Sequence, residues 1–172
     1  MSTRSTTNFG DGPPFYEGFL GKGDEQRKPD AKVYRHSDGY PGVMLPDLAS
    51  FFDAVEEETG GRRYMGRYMD PSFLAAKWVV WLARMFSTPY EENEDGHWGR
   101  NHDSPQVGSL NFLSVGIVQE DPGDIEWTYW VDCENSDPET GRPTIYMASA
   151  GVKEWKQVDP SEAVDPSEAV TA

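Results

Sequence analysis

The sequence predicts an α+β fold in the order β-α-α-β-β-β, with an optional further strand at the end. Three observations lead there. Apolar residues recur at helical spacing in two consecutive segments, beginning at Leu45 and at Asp70-Pro71. Three later segments, 110–118, 125–132 and 144–149, run or alternate at strand length. Strands gathered after helices favour a mainly antiparallel sheet with two helices packed on one face.

Lys32 to His36 reads as a short strand, with Tyr34 and His36 on one side and Val33 and Arg35 on the other. Asp38-Gly39 then supplies a turn, and Tyr40 before Pro41 is biased to extended geometry. Leu45, Leu48, Phe51, Phe52 and Val55 form the apolar stripe of a first helix, which Gly60-Gly61 ends. The second helix opens with Asp70 as N-cap and Pro71 at its first position, and stops before Pro89. It is apolar around much of its circumference and is expected to be the more buried of the two.

Residues 87–109 carry almost no periodicity and read as a long loop. The stretch 110–118, LNFLSVGIV, is apolar on both faces and reads as a central strand. In 125–132, Ile125, Trp127, Tyr129 and Val131 alternate with Glu126, Thr128, Trp130 and Asp132. TIYMAS at 144–149 is the next strand, and VKEWKQV is a candidate edge strand.

Residues 1–31 are rich in Ser, Thr, Gly, Pro and charge, and are expected to form a mobile N-terminal arm. Within them PPFYEGFL makes an apolar island of Phe15, Tyr16, Phe19 and Leu20. The domain proper is expected over 32–156. Residues 157–172 read as a disordered acidic tail in which DPSEAV occurs twice.

The chain carries 30 acidic against 15 basic residues, for a net charge of −15. That balance disfavours a direct nucleic-acid contact through a basic patch, and docking on anionic membranes. Salt-adapted solubility, which the six lysines suit, and polyanion mimicry both remain open. Cys133 is the only cysteine, so neither an intrachain disulfide nor a cysteine metal cluster can form. The first residues lack the apolar run of a secretory signal, so secretion by signal peptide is not expected.

The segment YRHSDGYPG is the densest cluster of functional side chains. His36 and Asp38 suit a base and its orienter, or a metal, but local turn chemistry alone accounts for the segment. His36, Asp38 and Tyr40 are therefore taken as candidate binding residues on a structural corner. His97, His102 and Asp103 are weak candidates for a divalent ion, since their spacing matches no tight motif. No nucleophile system stands out, no cofactor is implied, and Cys133 beside Asp132 and Glu134 is expected to be inert.

Two helices cover one side of a sheet only. Trp130 points to the other side, which then needs cover from Phe15, Tyr16 and Phe19, from a second copy, or from another protein.

The segment Tyr34, Arg35, His36, Asp38, Gly39, Tyr40, Pro41, with the Leu-rich helix after it, resembles a family of small uncharacterised proteins. Members occur in tailed viruses, prophages and haloarchaea, and share a Tyr-Arg-His-x-Asp-Gly-Tyr-Pro segment. The resemblance spans about residues 33–150 and carries over no catalytic residues. It implies a viral or proviral origin in a high-salt host, and a place in the host cytoplasm or the virion. The reading is a non-enzymatic protein-interaction module with a protein partner or self-association. One alternative is a virion structural or decoration protein using its N-terminal arm. The other is a small metal-dependent enzyme built on His36 and Asp38, with His97 or His102 from the long loop.

Overall fold

In this computed structural model the described residues are 3–15, 26–59, 70–87, 90–92, 98–100, 115–137, 140–150 and 152–161. They form an α+β fold. The strands are β1 (Ser5–Gly10), β2 (Ala31–Arg35), β3 (Tyr90–Glu92), β4 (Trp98–Arg100), β5 (Val115–Ile117), β6 (Trp127–Ser136), β7 (Pro143–Ser149) and β8 (Val152–Val158). The helices are α1 (Pro41–Thr59) and α2 (Pro71–Ser87). Six strands make one sheet in the order β5-β2-β1-β6-β7-β8, and β3 and β4 pair separately. Every pairing in the large sheet is antiparallel except β1 with β6.

The helices start as local chemistry dictates. The carboxylate of Asp70 accepts from the backbone N–H groups of Ser72 and Phe73, at 2.9 and 3.1 Å, and Pro71 takes the first helical position. α1 begins four residues earlier than its apolar stripe: the Tyr40 carbonyl accepts from Val43 and Met44, and Pro41 opens the helix. Pro46 lies inside α1 and removes one helical donor. Both Pro46 and Gly42, whose carbonyl loses that donor, are exposed to water.

One face of the sheet meets both helices. Phe9, Val33, Trp127, Tyr129, Val131, Ile145 and Met147 share that face by register. They form a single core with Met44, Leu45, Leu48, Phe51, Phe52 and Val55 of α1 and Leu74, Trp78 and Leu82 of α2. Phe51 binds the two helices together, edge-on to Trp78 and Trp81, which stack on each other 5.2 Å apart.

Several sequence-based expectations need correction. Ser5–Gly10, placed in a mobile arm, is instead a strand at the centre of the sheet with all six residues buried. Its Ser-Thr-Thr-Asn composition hid it. A strand flanked by β2 and β6 has its backbone groups satisfied on both sides and needs only one large apolar residue, Phe9, to reach the core. With β1 in the middle, the stretch expected as a central strand becomes the edge: β5 spans Val115–Ile117 and pairs with β2 alone. Residues 110–114 lie outside the described residues. The stretch read as a long loop contains the β3–β4 pair, and β8 reaches Val158, into the expected tail.

The opposite face of the sheet is covered in part by the first of the three means expected, the chain's own N-terminal segment. Trp130 does point there, yet it is completely buried. Its indole N–H donates to the Gly12 carbonyl at 2.9 Å, and its ring meets Trp155 edge-on. Phe15 sits edge-on to Tyr146, 5.8 Å between centroids. The chain segment after β1 therefore covers the aromatic half of this face.

The polar half lies on β1 and β2. β5 runs parallel to β6 with two strands between them, so residues 118–126 must return along the sheet. Lys32, leaving β2 on this far face, holds Asp121 at 2.7 Å, and Arg4 holds Asp124. Thr6 and Asn8 beneath are buried. Of the covers expected for this face, the chain's own N-terminal segment supplies part through Gly12 and Phe15, and the 118–126 return, which the sequence did not announce, supplies more.

Candidate functional site

The corner His36–Tyr40 is built from three elements. Arg35, buried at the end of β2, forms an ion pair with Asp47 of α1 and donates to the Ser37 carbonyl at 2.8 Å. Asp38 adopts a left-handed conformation, φ 57°. Gly39 donates its N–H to the Thr3 carbonyl and accepts from the Tyr129 hydroxyl at 3.0 Å. A side chain at Gly39 would lie 2.7–2.8 Å from atoms of Ser5, so only glycine fits against β1 here. Burial pushes the Tyr129 phenol well above the ordinary tyrosine range, with the Arg35 charge opposing it. The phenol therefore stays a neutral donor to Gly39.

The side chains that this framework presents are His36, Asp38 and Tyr40, all exposed. His36 Nδ1 lies 2.7 Å from the Tyr34 hydroxyl. The structure thus brings His36 to Tyr34, the residue that strand alternation sets on the same side. The loop residues His97, His102 and Asp103 lie outside the described residues, as do Tyr16 and Phe19. Among the described residues no group of three metal-ligating side chains converges.

Trp130 and Phe15, expected to offer a contact surface, instead pack against the chain's own residues. Cys133 is buried, and that burial, with Asp11 and Asp132 nearby, pushes its thiol up to about 12. Burial, more than the neighbouring carboxylates on which the sequence reading relied, is the main cause.

A second surface was missed by sequence reasoning. The outer side of α2 exposes Phe73 by 56% and Val80 by 60%, two turns apart on one stripe, with exposed Ala76 between them. Ile117, 76% exposed, shares the face of β5 that α2 covers. The neighbouring helix α1 buries all its large apolar residues except for half-buried Val43. The signal was present in the sequence: Pro71–Ser87 is apolar around most of its circumference, more than one buried face requires.

Comparison with protein-family models, with curated proteins and with solved structures finds no match. Among the described residues no helix is long and apolar enough to cross a membrane.

Proposed function

We propose that this is a non-enzymatic protein-interaction module, and that it works through the outer side of α2 and the adjoining edge strand β5. The observation that carries this reading is the exposure of Phe73 and Val80 on one outer stripe of α2, with Ile117 exposed on the strand β5 that α2 contacts. Large apolar side chains gathered on one surface mark interaction sites more often than scattered ones do. Tyr40, 37% exposed beside His36 and Asp38, is a smaller second contact point.

The viral or proviral origin, the high-salt host, and the host-cytoplasm or virion setting rest on the Tyr34–Pro41 segment and the lysine-poor acidic composition. For the virion alternative, Ser5–Gly10 is not available as a lacing segment, since it belongs to the interior of the sheet.

The test compares wild-type protein with the double variant Phe73→Glu, Val80→Glu. Both positions are solvent-facing, so thermal stability is expected to change little. Self-association, or capture of a defined partner, is expected to be lost. Equal association by both proteins would overturn the assignment of this surface.

A further inference from the structure

The far face of the sheet is closed in two unlike ways. Over β6 to β8 the cover is aromatic, with Trp130 edge-on to Trp155 and Phe15 edge-on to Tyr146. Over β1 and β2 the cover is the 118–126 return, and it is shallow. None of its residues is fully buried: Val118, Pro122 and Ile125 are half-buried and the rest are exposed. Its ends are tied to the sheet by backbone hydrogen bonds, from Val118 to the Lys32 carbonyl at 3.1 Å and from Glu126 to the Arg4 carbonyl at 3.0 Å. Between these ties, the polar anchors among the described residues are two ion pairs, Lys32 with Asp121 and Arg4 with Asp124. Both carboxylates are more than half exposed.

The floor beneath is polar. Arg4, Thr6 and Asn8 alternate to this side of β1, with Thr128 opposite Thr6 and Lys32 opposite Asn8. Thr6 therefore lies between the two ion-pair anchors. Thr6 and Asn8 are buried, and Oδ1 of Asn8 has no hydrogen-bond partner among the described residues. A covered acceptor without a donor destabilises the closed state, and water would satisfy it if the cover lifted. Asp124 is held at φ 72°, a backbone region that residues other than glycine seldom occupy.

We infer that residues 119–125 form a charge-latched strap, which lifts from β1 and β2 while the sheet and its helix-side core stay folded. Lifting gives up little apolar contact, because the strap has no fully buried side chain. The floor it uncovers gains hydrogen bonds to water. The ion pairs that oppose it are exposed, contribute little, and are screened by salt. The aromatic half of the same face has none of these features and stays shut. The strap is thus a two-state element, closed at low ionic strength and increasingly open as salt rises, when it presents Thr6, Asn8 and Thr128 to solvent. It is independent of the α2 surface, which lies on the other side of the sheet.

The experiment reads thiol exposure at the floor. Thr6→Cys and Asn8→Cys are made singly in the full chain. Buried Cys133, on the core face, serves in the same molecule as the reference for opening of the whole fold. Labelling by the neutral reagent N-ethylmaleimide is followed at each cysteine by mass spectrometry, and each rate is referred to that of the same cysteine in the urea-unfolded protein. The floor cysteines are expected to react at least about tenfold faster than Cys133, because local opening is more frequent than global unfolding. Their rates are expected to rise roughly threefold to tenfold between ~0.05 M and ~1 M potassium chloride. Lys32→Met or Arg4→Met should raise the low-salt rate by a similar factor and remove much of the salt response. Thr6→Cys is close to isosteric and Asn8→Cys removes the unsatisfied acceptor, so either position decides the question if the other variant fails to fold. Floor labelling at the Cys133 rate overturns the inference, since the strap would then lift only with the whole fold. Faster labelling that is indifferent to salt, to Lys32→Met and to Arg4→Met also overturns it, since charge would not be the latch.

Discussion

The hydroxyl of Tyr129 donates to the carbonyl of Gly39 across 3.0 Å, joining the middle of the sheet to the turn that launches α1. Both residues are buried. Tyr129→Phe keeps the ring and strands the carbonyl, and is expected to cost about 1–2 kcal/mol in urea unfolding. The same bond makes stability depend on pH. The folded protein holds the phenol protonated beyond its ordinary range, while the unfolded chain releases that proton near pH ~10. Stability contributed by Tyr129 is therefore complete below about pH 10 and falls as pH rises above it. Tyr129→Phe should flatten this alkaline decline, read from urea midpoints between neutral pH and pH ~11.

Gly39→Ala would place a methyl group 2.7 Å from the Cβ and Oγ of Ser5 and 2.8 Å from its backbone nitrogen. A loss of about 2–4 kcal/mol is expected, because strand backbone cannot move aside as a side-chain end can. Ser5→Ala alone should be neutral or slightly stabilising. Its hydroxyl is buried and finds no hydrogen-bond partner among the described residues. Melting curves of the two single variants check both statements.

Deletion of residues 1–10 is expected to abolish folding, because it removes the strand between β2 and β6. Far-ultraviolet circular dichroism and the loss of a cooperative urea transition would show it. A truncated protein with wild-type melting behaviour would contradict the central place of β1.

Arg142, at the entry to β7, donates to both carboxylate oxygens of Glu56 at 2.9 and 3.0 Å, and also to Asp53. The carboxylates hold its guanidinium charge more firmly than usual. Arg142→Met should cost about 1–2 kcal/mol, the loss being limited by the exposure of Asp53. Added salt should narrow the gap between the variant and wild type, as measured by urea unfolding at two ionic strengths.

The legible parts of this fold were those with a repeating or capped pattern. Asp70-Pro71 announced α2, and the alternation from Trp127 to Val131 announced which side chains face the helices. What escaped was decided by neighbours far along the chain. Ser5–Gly10 carries no apolar alternation, because its large apolar neighbours, such as Tyr129, Trp130 and Val131, come from β6 rather than from its own side chains. The direction of Trp130 could be read from its strand, but the carbonyl that receives its indole N–H is Gly12, 118 residues earlier.

The candidate site divides in the same way. The turn at Asp38-Gly39 followed from local rules, whereas the exposure of Phe73 and Val80 depends on where α2 sits over β1, β2 and β5. No spacing in the second helix distinguishes the buried Leu74 and Trp78 from the exposed Phe73 and Val80 until the sheet beneath is known.

Parallel pairing of β1 with β6 brings Thr6 beside Thr128, separated by 122 positions. During synthesis the first strand made must wait for one of the last. Until Trp127–Ser136 is made, β1 lacks one of its two neighbours and Phe9 lacks part of its core. Closure of this sheet is thus governed by a contact between chain positions far apart, which is expected to make folding slow for a domain of its size.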